Sequence, residues 1–182
     1  MTEEGKRFER AFANSVPADV YCERFPDAAV GFNAKEKLTG GAPIIGNNKN
    51  NKIRFAPKSP YDFILYKRPE LFCIELKTAG TSNFSFSGKS ANIKDHQIRS
   101  LLKASKYANA GLILNFRKTS NTYYLEINDF CRIKETLNKK SFNEKDIINY
   151  AIELPHKLMR TNYKYDLSPL FHMNNYKKAC NY

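Results

Sequence analysis

Phe8, Ala11, Phe12 and Val16 recur at helical spacing through residues 3–16, and Pro17 follows them. One apolar stripe closed by a proline predicts a helix. Glu9 sits at the edge of that stripe, beside Phe12 and Val16. Residues 33–58 lack any period and are rich in Asn, Gly and Lys, which predicts a long loop or protruding arm. Apolar runs return at 62–66 and 71–77, with KRPE between them as a hairpin loop. A polar stretch, AGTSNFSFSGKSAN, comes next. Its Phe84 and Phe86 read as a short edge strand, base stacking being the other use for such rings.

The spacing of Ile98, Leu101, Leu102 and Ser105 predicts a helix over 94–108, with Lys94, Arg99, Lys103 and Lys106 on its polar side. GLILNFR and TYYLEIN predict two more strands joined by a KTSN turn, and DFCRIKETL a short helix. Ser141 and Glu144 have capping-box spacing, so another helix is expected to start there. The basic, tyrosine-rich tail from Pro155 receives no assignment. The order of elements predicts an α/β fold, a mixed sheet flanked by helices, as one domain over 1–182 with the 33–58 arm inserted.

Charge narrows the possible partners. The 182 residues carry a formal net charge of +12, which favours a polyanionic partner, nucleic acid or an anionic membrane surface. Lys49, Lys52, Arg54 and Lys58 make the arm basic and are candidate DNA contacts, as are Lys94 and Arg99. No apolar run approaches 18 residues, so no membrane span is expected, and the charged amino-terminal stretch does not read as a secretory signal. A cytoplasmic location is expected. Cys22, Cys73, Cys131 and Cys180 form no C-x-x-C pair and read as free thiols rather than zinc ligands.

Three charges interrupt the two apolar runs. Side chains alternate along a strand, so Glu75 and Lys77 share a face with Cys73, while Phe72, Ile74 and Leu76 share the other. If Tyr66 pairs with Leu71, then Leu65 faces Phe72 and Phe63 faces Ile74. That register sets Asp62 opposite Glu75, with Cβ atoms about 4.5–5.5 Å apart. Two carboxylates so placed repel unless a cation lies between them, and a divalent ion with oxygen ligands fits. Such an ion polarises a phosphodiester oxygen and acidifies a bound water, and Lys77 can serve the same phosphate. An E-x-K triplet alone is commonly a solvated strand face; the facing Asp62 makes the difference.

PYD followed thirteen residues later by ELK resembles the PD-(D/E)xK nuclease superfamily. GKRFERAFANSVP, SPYDFILYKRPELFCIELKTAG, NIKDHQIRSLLKAS and AGLILNFRKTSNTYYLEINDF together resemble the RecU Holliday junction resolvases of Gram-positive bacteria and their phages. The resemblance implies a restriction-endonuclease-like fold with a stalk at the arm. It also implies a homodimer that cuts four-way DNA junctions by paired nicking with Mg2+ or Mn2+. By position it makes Asp62 and Glu75 the metal-binding carboxylates, Lys77 the catalytic lysine, Gln97 a residue at the metal and Glu9 the acidic residue of the first helix. The family's Thr two positions before the Asp is Pro60 here. His96, beside Gln97, reads equally as a capping residue and as a DNA contact; His156 and His172 are given no role.

Overall fold

The computed structural model describes residues 2–25 and 59–173; the expected arm at 33–58, with Lys49, Lys52, Arg54 and Lys58, lies outside them. Helix α1, Glu3–Ala13, begins at Thr2, whose hydroxyl accepts from the Gly5 N–H at 3.2 Å, and carries Glu3 and Glu4 in its first turn. Strand β1 is Tyr21–Arg24, β2 Phe63–Lys67 and β3 Glu70–Ala79. Next come β4 (Asn83–Ser85), α2 (Asp95–Ala104), β5 (Asn109–Phe116), β6 (Asn121–Glu126) and α3 (Ile127–Thr136). The chain continues through β7 (Ser141–Asn143), α4 (Glu144–Ile147), β8 (Ile152–Glu153), β9 (His156–Leu158), β10 (Tyr163–Tyr165) and a 3-10 turn, Ser168–His172.

Among the described residues six strands form one sheet in the order β1-β2-β3-β5-β6-β8. Only β3 and β5 run parallel, and α2 makes the crossover between them. The other neighbours are antiparallel. This is the mixed sheet that the order of elements predicts.

Alternation along β2 and β3 divides the interior in two. Phe63, Leu65, Phe72, Ile74 and Leu76 point to one side, where Phe8, Ala11 and Phe12 of α1 cover them. Cys73 and Ala79 point to the other, where Ile98 and Leu101 of α2 and Phe130 and Ile133 of α3 pack. Glu75 and Lys77 belong to the α2 side by the same alternation. At Gly111 in β5 an added Cβ would lie 2.5 Å from the Leu125 carbonyl, so the close approach of β6 requires glycine there.

Several expectations shift. The 94–108 helix ends at Ala104, where the Ser105 hydroxyl turns back onto the Leu102 carbonyl at 3.0 Å. Ile127 and Asn128 leave the expected strand and open α3, because Ile127 is fully buried on its helical face. The capping box exists two residues later than expected: Asn143 and Asp146 bond to each other's backbone N–H at 3.2 and 2.9 Å, while Ser141 starts β7. Phe84 and Phe86 are buried against Phe142, so neither offers a face to a base. Phe84 lies in β4, which pairs with β7 in a separate two-stranded sheet, and Phe86 follows it. Cys22, Cys73 and Cys131 are free thiols; Cys180 lies outside the described residues.

Candidate active site

The expected hairpin register holds at each pair: Phe63 faces Ile74, Leu65 faces Phe72 and Tyr66 faces Leu71. It continues to Lys67 and Glu70, which leaves Arg68–Pro69 as the turn, with a cis peptide bond. At the other end the ladder stops at Phe63, so Asp62 is the residue just before β2 rather than a paired strand residue. Its place is nonetheless fixed. The Asp62 N–H donates to the Ile74 carbonyl at 3.0 Å, its own carbonyl accepts from Phe25 at 2.8 Å, and its Oδ2 accepts from the Leu76 N–H at 2.7 Å. Phe25 and Tyr61 pack edge to face beside it, ring centres 5.4 Å apart.

Glu75 stands at the centre of β3 and is only 2% exposed. Burial pushes its carboxyl up to about 7; the Asp62 charge adds to that, and Lys77 and Gln97 oppose it. The Lys77 Nζ lies 2.5 Å from Glu75 Oε1. Gln97, in the first turn of α2, donates its side-chain amide to the same oxygen. The Gln97 oxygen accepts the Lys94 N–H at 3.1 Å and so closes the start of the helix. Gln97 thus bridges the start of α2 and the Glu75 carboxylate.

Asp62, Glu75, Lys77 and Gln97 thus come together, and Glu9 of α1 pairs with Arg24 of β1, next in the chain to the Phe25 that bonds the Asp62 carbonyl. Glu9 is 7% exposed on α1, and Arg24 of β1 binds its Oε2 at 2.6 Å. Among the described residues no group of three or more His, Cys, Asp or Glu could hold a metal ion. A two-carboxylate set remains, and it fits a hard divalent cation, since Mg2+ is commonly bound through one or two carboxylates and keeps several waters. Buried Glu75, whose carboxyl the half-buried Asp62 charge pushes further up, is the observation that fits such an ion. Lys94 and Arg99 are exposed at the start of α2, and His96 is half-buried there. Arg24 is the residue that the sequence reading missed. Its strand shows almost no apolar alternation, so nothing local signals that it pairs with Glu9.

A family profile described as Recombination protein U, RecU, matches residues 42–166. The chain belongs to the RecU family. Within that match lie Asp62, Glu75, Lys77 and Gln97. This RecU-family chain is also 37% identical over 86 residues to the SPbeta prophage-derived uncharacterized protein YotM of Bacillus subtilis (strain 168). That alignment covers 46% of this chain and 43% of YotM, so it spans less than half of the curated relative. Among solved structures, Hjc of Archaeoglobus fulgidus, a Holliday junction resolvase from an archaeal hyperthermophile, superposes with a TM-score of 0.47 at 16% identity, covering 82% of this chain and 95% of Hjc. Among the described residues no helix is long and apolar enough to cross a membrane.

Proposed function

We propose that this protein is a metal-dependent DNA endonuclease that resolves four-way junctions by paired nicking. The observation that carries the reading is the buried Glu75 with Asp62 and Lys77 beside it, in a chain of the RecU family. Asp62 and Glu75 would hold Mg2+ or Mn2+. When bound, the ion polarises a phosphodiester oxygen and lowers the pKa of a coordinated water. Lys77 presents ammonium donors where charge develops on the phosphate, or orients the attacking water. Gln97 keeps Glu75 turned toward the site. Arg24, by neutralising Glu9, ties α1 to the strand that leads to Phe25 and Asp62.

Lys94 and Arg99 would contact phosphates of the strand being cut, and Lys49, Lys52, Arg54 and Lys58 would carry the arm onto DNA. One such site cuts one strand, so paired nicks call for two copies. A two-fold homodimer matches the symmetry of a four-way junction. The chemistry points to recombination and repair of cytoplasmic DNA.

A synthetic four-way junction with each strand labelled in turn tests this. Wild type should nick two opposed strands in Mg2+ and do nothing in EDTA. Glu75→Gln should lose cleavage by at least a hundredfold while binding the junction normally, as removal of a transition-state electrostatic group does. Full activity in Glu75→Gln would refute the site. Equal cutting of linear duplex would refute junction selectivity and favour a related nuclease with another DNA substrate. Junction binding without any cleavage by wild type would indicate a non-cutting relative.

A further inference from the structure

Like charges directly opposite each other across a strand pair are unfavourable, and the β9–β10 hairpin keeps such a pair. Lys157 faces Lys164 in the ladder, and both are exposed. Arg160 is exposed in the loop between them, and the Arg7 guanidinium of α1 donates to the Thr161 carbonyl of that loop. Among the described residues none of these four cations enters an ion pair. The acid nearest to Lys164 in sequence is Asp166, whose carboxylate accepts the Ser168 N–H at 2.9 Å.

Packing accounts for the aromatic side chains of the hairpin, while Leu158 and Met159 are exposed. His156, Tyr163 and Tyr165 pack edge-on or tilted against one another, and Tyr165 meets Phe8 of α1 edge to face at 5.7 Å. The Tyr165 N–H donates to the buried Ser15 hydroxyl at 2.9 Å. The two lysines take no part in this. They border a cleft of about 620 Å³ between the hairpin and the turn after α1, with Asn14, Pro17 and Ala18 on its far wall.

We propose that Lys157, Lys164 and Arg160, with Arg7 beside them, form a second site for the DNA backbone, on the α1 side of the sheet and opposite Glu75 and Lys77. The inference rests on the nucleic-acid reading given above and adds a surface that the cleavage centre does not use. Backbone phosphates set against the two lysines replace one repulsion with two attractions. A second copy of the chain is a poor occupant, because a two-fold contact through this patch would set cations against cations.

Lys157→Glu tests the proposal without unfolding the protein, since it converts the facing pair into an ion pair with Lys164. The melting temperature should stay level or rise. Affinity for a four-way junction, measured by fluorescence anisotropy in EDTA, should fall about tenfold or more. Lys157→Ala/Lys164→Ala should reduce the slope of log Kd against log salt by about 2, roughly one for each phosphate that the lysines no longer neutralise. Unchanged affinity and slope would overturn the site. So would loss of a sedimenting dimer with DNA affinity unchanged, which would make the hairpin a subunit contact. Wild-type cleavage measured in parallel separates the two readings. Wild type that binds but never cuts refutes the nuclease and leaves the hairpin to be decided by binding, whereas wild type that does not bind DNA refutes both.

Discussion

At Glu75 a single carboxyl group connects burial to chemistry. Its position in β3 puts it under α2, and burial there raises its carboxyl to about 7. A carboxyl with a raised folded-state pKa takes up a proton more readily when folded than when unfolded. Between about 4.5 and 7 the folded protein therefore loses stability as pH rises, and above that window the full cost is present. Metal-free Glu75→Gln should melt higher than wild type at pH 8 and nearly level with it at pH 4. Thermal melts at the two pH values check this, and a difference of the same size at both would show that Glu75 is not the titrating group. Divalent ions should stabilise wild type more at pH 8 than at pH 5, because the ion needs the ionised carboxylate. The chemical pattern of this site was legible in the sequence: the register alone put Asp62 near Glu75. The hydrogen bond from Gln97 to Glu75 was not, because it depends on which way α2 docks.

Among the elements, the long apolar ones followed from pattern and the short ones did not. Helix α1, the β2–β3 hairpin and strands β5 and β6 have enough buried positions for periodicity to locate them. Helix α4 spans only Glu144–Ile147, so its start depends on one cap, and the cap is Asn143 rather than the expected Ser141. Pairing of β7 with β4 takes Ser141 into a strand, since Phe142 has to face Phe84. Asn143→Ala should accordingly cost about 1 kcal/mol, the usual value of a lost N-cap, and Ser141→Ala much less. Urea unfolding of the two variants distinguishes them; the reverse order would restore the earlier cap. Strand β1 escaped notice for a related reason. It is an edge strand of mostly exposed residues, and only its pairing with β2 makes it a strand.

For the whole molecule, the segment beyond Pro155 shows most clearly how local pattern runs out. Tyr165, Leu167, Leu170 and Met173 are each 5% exposed or less and complete the core over α1. Fully burying one such side chain contributes about 1.5–3 kcal/mol, against a total domain stability of about 5–15. Truncation after Leu154 should leave a chain with no cooperative thermal transition by circular dichroism; a sharp melt close to that of the full chain would show the segment to be dispensable. The sequence by itself determined the mixed α/β sheet, the hairpin register and the Asp62, Glu75 and Lys77 cluster, because strand alternation and a short loop leave few other pairings. Tertiary structure decided that Glu9 pairs with Arg24, that Gln97 serves Glu75 as a donor, and that Lys157 and Lys164 face each other. Each of these depends on contacts between segments far apart or irregular in the chain, for which no local period exists.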